Sequence, residues 1–289
     1  MRWTPGGISG DIEDRRDDSG GFGGFGYGRL GCGGILVLGI LSLLFHRNLF
    51  VLFTGAPSTA PAPAPNRQLD EREEPEVQFI SFVLDDVQRA WDRNLPRFAN
   101  IPYRHARLVL FRNAYPSACG LARDAIGPFY CPEDEKVYLD LGFFNELRTR
   151  FRAPGEFAQA YVIAHEIGHH VQKLLGIEPK VHALQQRRPD RGNELSVRLE
   201  LQADCMAGVW GYSTAKRDVI DASDVESGLG AAAAVGDDRL QRMGTGRVSP
   251  ETFTHGSSAQ RVNWFRRGLE SGRLSACNTF QPSRASRAE

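Results

Sequence analysis

His165, Glu166 and His169 form a His-Glu-x-x-His pattern inside Ala160-Tyr-Val-Ile-Ala-His-Glu-Ile-Gly-His-His-Val-Gln172. Residues four apart lie one above the other on a helix face, so His165 and His169 can present two imidazoles to one metal ion. Glu166 sits one position round, close enough to act as general base toward a water at that metal. Chance matches to so short a pattern fall in polar loops or on solvated faces. This one is flanked by Tyr161, Val162, Ile163, Ala164, Ile167, Val171, Leu174 and Leu175, which reads as a buried helix. Burying two His and a Glu without partners is costly, and a metal is the simplest partner. His170 points about 100° away from His169 around a helix and stays outside the ligand set.

A catalytic zinc takes three protein ligands and keeps one position open. A third His at the end of His-Glu-x-x-His-x-x-Gly-x-x-His is excluded, because Gln172 and Leu175 stand at the required positions. The remaining source is a carboxylate downstream. Glu200 lies in the apolar run Leu199-Glu-Leu-Gln-Ala-Asp-Cys-Met-Ala207, with Asp204 four residues on and therefore on the same face. Glu200 can ligate while Asp204 accepts a proton from the far nitrogen of a ligand His. Glu194 is the competing carboxylate; it stands near the start of the same helix, where a Glu more often caps.

These side chains need two helices, over 156–175 and 193–213, and the polar, basic stretch 176–192 between them reads as a loop. Phe79, Phe82, Val83, Val87 and Trp91 recur at helical spacing and predict an amphipathic helix over 77–93. Residues 107–112 and 136–144 read as strands. A small-residue helix follows Ser223, and Ser257-Ser-Ala-Gln260 has capping-box form and opens another. The fold class expected is α+β: a mainly helical domain with a small antiparallel β-sheet, preceded by one transmembrane helix.

The 289 residues carry 35 Lys plus Arg against 35 Asp plus Glu, so nothing in the charge balance points to nucleic acid as a partner. Residues 1–29 are Gly-rich and charged and predict a disordered tail. Residues 30–53 hold two apolar runs, Leu30–Phe45 and Leu49–Phe53, together long enough to cross a bilayer as an uncleaved anchor. Arg2, Arg15, Arg16 and Arg29 precede this run and the next basic residue beyond it is Arg67, which favours a cytoplasmic N-terminus and an extracytoplasmic domain. The Ala-Pro repeat within 54–75 predicts an extended linker, 76–281 the folded domain, and 282–289 a frayed end. In an extracytoplasmic domain Cys119–Cys131 and Cys205–Cys277 are the plausible disulfides, leaving Cys32 inside the anchor.

The chain resembles the bacterial neutral zinc metallopeptidases, which are membrane-anchored with an extracytoplasmic zincin domain. The resemblance runs over nearly the whole length. It is carried by Met1-Arg-Trp3, Glu13-Asp-Arg-Arg16, Ser117-Ala-Cys-Gly120, Gly127-Pro-Phe-Tyr-Cys-Pro132, Val137-Tyr-Leu-Asp140, the 160–172 motif, Glu200-Leu-Gln-Ala-Asp-Cys205, Gly236-Asp-Asp-Arg239 and Thr254-His-Gly-Ser-Ser258. It implies one Zn2+ per chain held by His165, His169 and Glu200, with Glu166 as base, acting on a peptide or protein substrate. The pattern is also similar to thermolysin-like zincins, in which a further His or Tyr stabilises the oxyanion. His255 is the candidate here, against the alternative of a surface turn leading into the capped helix. An extended substrate is expected along the edge of the sheet containing 107–112 or 136–144. The competing reading is a non-catalytic membrane scaffold with a structural zinc, for which a free Cys205 would be the fourth ligand.

Overall fold

The computed structural model describes residues 1–18, 67–123 and 127–280. Eight α-helices and two small sheets account for the regular structure of the described residues. Helix α1 (Arg67–Ala99) buries Val77, Ile80, Val83, Leu84, Val87, Trp91 and Leu95, one stripe at helical spacing that forms a wall of the core. It begins earlier than the sequence suggests, so the linker expected over 54–75 ends by residue 66. Residues 67–74 are mostly helix formers, and Glu73 is tied by ion pairs to Arg16 at 3.2 Å and Arg112 at 2.6 Å, which hold this turn in place ahead of Pro75.

The larger sheet has strands β1 (Ile12–Asp14), β2 (Arg107–Phe111), β6 (Lys136–Asp140) and β5 (Phe129–Cys131) in that spatial order. β1–β2 and β2–β6 are parallel and β5–β6 is antiparallel, so the expected antiparallel sheet is mixed. Residues 112–135, between β2 and β6, are long enough for the return a parallel pair needs. They hold the separate antiparallel hairpin β3 (Ala114–Ser117) and β4 (Gly120–Arg123) before β5. The unbroken buried runs Leu108–Phe111 and Val137–Asp140 suit strands at the centre of the sheet, covered on both faces.

The expected disordered tail over 1–29 is corrected for its first part. Residues 12–14 form β1, with Ile12 opposite Leu108 and Asp14 opposite Leu110. Composition misjudged this segment because its order comes from partners elsewhere: Trp3 stands edge-on to Phe79 at 5.3 Å, Ser9 N donates to Ser81 Oγ at 2.6 Å, and Lys136 reaches Glu13 at 2.9 Å. The apolar run 30–53 and the end 282–289 lie outside the described residues. Among those described, no helix is long and apolar enough to cross a membrane.

Helices α2 (Gly142–Thr149) and α3 (Glu156–Leu174) follow the sheet. The stretch 176–192, expected as a loop, is largely helix α4 (Ile177–Arg187), whose Val181 packs with Leu195 and Leu199 while its charged face meets solvent. Helix α5 (Gly192–Lys216) carries Glu200 and Asp204. Helices α6 (Ala222–Ala234), α7 (Asp237–Gly244) and α8 (Ser258–Ser271) complete the domain, and α8 opens with the reciprocal Ser257–Gln260 capping box.

Two close helix approaches set the geometry of the centre. A Cβ on Gly168, inside the motif, would lie 3.0 Å from the Ala203 carbonyl oxygen and 3.1 Å from the Ala203 Cα, so glycine lets α5 approach α3 closely. Gly208 and Gly268 do the same for α5 and α8: a Cβ on Gly268 would collide with the Cys205 carbonyl. Both expected disulfides are present, Cys119–Cys131 and Cys205–Cys277, the second tying α5 to the chain beyond α8.

Candidate metal centre

His165 and His169 project from α3 toward Glu200 on α5. The three side chains offer ligand atoms within 4.8 Å of one another. His165 Nε2 is 3.1 Å from Glu200 Oε2 and 3.2 Å from His169 Nε2, and His169 Nε2 is 3.5 Å from Glu200 Oε1. Donor atoms around a tetrahedral zinc with ligand distances of about 2.0–2.1 Å stand about 3.3 Å apart, and these spacings match.

The surroundings fix what those nitrogens can be. His165 Nδ1 lies 2.9 Å from Asp204 Oδ1 and His169 Nδ1 lies 2.9 Å from Gln172 Oε1. The Gln172 amide nitrogen donates to the Leu199 carbonyl at 2.8 Å and to Gln202 Oε1 at 3.1 Å, so its oxygen faces His169. Each imidazole therefore donates through Nδ1 and turns Nε2 inward, where the neutral ring carries a lone pair. Two imidazole nitrogens and a carboxylate converge at metal-ligand spacing, with Arg261 Nη2 no closer than 3.5 Å to His165 Nε2 and 4.0 Å to Glu200 Oε2, and a cation fits the gap between them.

The free charges respond accordingly. Burial opposes a charged His165, but the adjacent carboxylates of Asp204 and Glu200 outweigh it and push its pKa up to about 10. His169, buried and beside His165, is pushed down to about 4. Burial works against the Glu200 carboxylate, yet His169 and His165 hold it well below the usual range. Glu166 is buried beside the ligands; burial pushes it up to about 7, while His165 and Arg261 pull the other way and the backbone N–H of Tyr130 bonds it. A positive ion nearby favours its ionised form.

Asp204 does more than the sequence suggested. It is fully buried and takes Arg261 Nε and Nη2 at 2.9 Å each, the Tyr161 hydroxyl at 2.5 Å and His165 Nδ1. Arg261, buried on α8, balances its charge and donates to the Val235 carbonyl at 3.2 Å. Sequence reasoning missed Arg261 and Tyr161. Glu194, the competing carboxylate, pairs at 2.8 Å with Arg191 and with Arg198, away from the site. Cys205 is bonded to Cys277 and is not a thiol ligand.

His170, left out of the ligand set, is fully buried and points to the sheet. Its Nε2 donates to the Arg104 carbonyl at 2.7 Å and its Nδ1 accepts from the Tyr130 hydroxyl at 2.9 Å, pinning β5 against α3.

A cavity of about 520 Å3 opens beside the three ligands. His255 lines it, and His255 Nδ1 is 3.1 Å from Asp237 Oδ1. Asp237 Oδ2 accepts the backbone N–H groups of Thr254, His255 and Gly256 at 2.8, 2.7 and 3.0 Å. The Asp237 hydrogen bond and the nearby Glu200 raise the pKa of His255 against its partial burial. The 254–257 segment is thus a turn and a cavity wall at once. Asp237, its organiser, stood in the sequence within Gly236-Asp-Asp-Arg239 without an assigned role. Strand β5 is the sheet edge that borders the cavity, through Phe129 and Tyr130; β2 and β6 are both interior strands. Glu178 lies on another wall, buried, with Oε1 3.6 Å from His182 and Oε2 without a hydrogen-bond partner among the described residues. Burial raises its pKa.

Three inward-facing side chains able to hold a metal ion stand beside a buried carboxylate at the next helical position and an adjoining cleft, on a mainly helical domain. The chain belongs to the family described as "Putative neutral zinc metallopeptidase", which it matches over residues 1–280. Among its relatives, the Escherichia coli K12 protein YpfJ is 44% identical over 98% of this chain and 100% of its own length. The Mycobacterium tuberculosis H37Rv protein Rv2575 is 44% identical over 68% of each chain. No solved structure matches the chain.

Proposed function

We propose that this protein is a zinc-dependent peptidase that hydrolyses peptide bonds outside the cytoplasm, attached to a membrane through residues 30–53. The observation that carries the reading is the convergence of His165 Nε2, His169 Nε2 and Glu200, with each imidazole's other nitrogen occupied, beside buried Glu166 and an open cleft. Zinc held by these three residues would supply Lewis acidity, activating a water and polarising the scissile carbonyl.

The chain's own residues do the rest. Glu166 takes the proton of the attacking water and passes it to the leaving amine; a base poised near neutrality suits both transfers. His255, oriented through Nδ1 by Asp237, turns its other nitrogen toward the cleft and donates to the oxyanion that develops there. Arg261 and Asp204 hold His165 in one tautomer and orientation. An extended peptide adds to the free edge of β5, whose backbone also fixes Glu166. Phe143, Phe151, Val162, Val235 and Leu240 give the cleft an apolar wall for a large side chain.

A structural site would close with four protein ligands, and the disulfide withdraws Cys205 from that role. Two disulfides support a compartment outside the cytoplasm.

The direct test is metal content and peptide cleavage on the purified full chain. One zinc per chain is expected, with cleavage lost on chelation and restored by zinc. Cleavage that persists in metal-free protein would sink the reading. Glu178, a carboxylate among the residues that line the cleft, adds a preference for a cationic group on the substrate. A charged hydrogen bond contributes about 1.5–3 kcal/mol, so Glu178→Gln should lower kcat/KM by roughly ten- to a hundredfold for peptides with a basic side chain near the scissile bond. Apolar peptides should be cleaved as before; an equal loss on both would remove Glu178 from specificity.

A further inference from the structure

Helix α3 carries two interleaved pairs of residues four apart. His165 and His169 share one face, and Glu166 and His170 share the next, about 100° round. The first pair turns toward Glu200 and the second toward strand β5. Tyr130, in the middle of β5, meets both members of the second pair. Its backbone N–H bonds Glu166, and its hydroxyl bonds His170 Nδ1 at 2.9 Å.

The other side of the His170 ring is fixed as well. A carbonyl oxygen only accepts, so Nε2 carries the hydrogen toward the Arg104 carbonyl at 2.7 Å, and Nδ1 is left to accept from Tyr130. The Tyr103 ring stands edge-on to the imidazole at 5.6 Å. Segment 103–106 is in turn held to α1, where Gln88 Oε1 accepts from the Ala106 N–H at 2.7 Å and from the Tyr103 hydroxyl at 3.3 Å. The wholly buried His170 ring is therefore a fixed point. β5 has less support of its own: it is three residues long and pairs with β6 on one side. The disulfide to Cys119 holds its end at Cys131, and the His170–Tyr130 bond holds its middle against α3.

We propose that His170 is a positioning residue for the hydrolysis: by holding the Tyr130 hydroxyl it sets the Tyr130 backbone, and through that N–H it sets the direction of the Glu166 carboxylate. The role rests on the peptidase reading above. His170 does not line the cleft, so it acts through Tyr130 and not on the substrate. A general base must stand within hydrogen-bond reach of the proton it takes, and a misplacement of about 1 Å can cost about 10²-fold in rate.

The test uses the purified, zinc-loaded full chain as Tyr130→Phe, His170→Leu and the two combined. Tyr130→Phe removes one hydroxyl and keeps the ring and the backbone N–H, so it decides the outcome even where His170→Leu fails to fold. In each variant kcat for a peptide should fall by about 10- to 100-fold with zinc content unchanged. The double variant should be no slower than Tyr130→Phe, because both substitutions break the same bond. Its two apolar side chains leave no donor or acceptor unpaired between them, so it should regain folding stability that His170→Leu loses while kcat stays low. Hydrogen exchange gives a readout apart from activity. The Tyr130 amide should exchange at least about tenfold faster in Tyr130→Phe than in wild type, with the amides of 160–172 as protected as before. Unchanged exchange at Tyr130, a wild-type kcat or a loss confined to KM would each overturn the proposal. So would a double variant whose kcat returns with its stability. A wild type that holds zinc and cleaves no peptide in the same assay would sink the peptidase reading itself, and the role of His170 with it.

Discussion

Glu166→Gln should lower peptide cleavage by about 10²- to 10⁴-fold, the usual contribution of a positioned general base, and leave zinc content unchanged. The amide has nearly the shape of the carboxylate and still accepts from the Tyr130 backbone N–H, so the helix and the cleft keep their form. It cannot take a proton from water or return one to the leaving amine. Glu166 touches neither imidazole by hydrogen bond; His165 and His169 are held by Asp204 and Gln172. Metal occupancy and chemistry should therefore separate cleanly in this variant. Zinc per chain by elemental analysis, with single-turnover cleavage of one peptide, measures both. Wild-type cleavage by Glu166→Gln would remove Glu166 from the reaction, and loss of zinc would reassign it as a ligand.

The metal ligands were legible because they depend on local spacing. His165 and His169 share a face at four residues, Glu200 and Asp204 share another, and both pairs sit in apolar runs long enough to be buried helices. What spacing cannot convey is which distant side chain completes a buried charge. Arg261 lies 57 residues from Asp204 and 96 from His165, and it reaches them because Gly208 and Gly268 let α8 settle against α5. In the sequence Arg261 is one of three Arg in a capped helix. The same holds at the sheet. Residues 1–16 are polar and poor in apolar side chains, so composition reads them as tail, yet Trp3, Ser9, Asp11 and Glu13 each find a partner on α1 or a strand. That Met1-Arg-Trp3 and Glu13-Asp-Arg-Arg16 carried the family resemblance was the available sign of structure there. Strand direction was also beyond reach, since buried runs at β2 and β6 look alike in parallel and antiparallel sheets.

Arg261→Met should destabilise the metal-free fold by about 3–5 kcal/mol, because it strips the countercharge from a wholly buried carboxylate. Asp204 would keep the Tyr161 hydroxyl and the His165 Nδ1 hydrogen, the latter from a ring that is protonated in the metal-free protein and neutral when it carries a metal, and lose both guanidinium bonds. Burial would then favour its protonated form, and a protonated Asp204 holds the imidazole less firmly. Weakening such a partner of a ligand His lowers metal affinity by about 10- to 100-fold. Fold and affinity can be told apart with a second substitution. Arg261→Met with Asp204→Asn removes both charges, so most of the lost stability should return while zinc affinity stays low. Urea unfolding of metal-free protein gives the first quantity and competition with a chromophoric chelator the second. The coupling between the two positions should then come out large and favourable in the wild type, as for residues in direct contact. If Arg261→Met alone unfolds within about 1 kcal/mol of wild type, solvent reaches Asp204 and the guanidinium is dispensable to the fold. If the double variant regains zinc affinity as well as stability, the pair serves packing alone, and His165 takes its orientation from the helix that carries it.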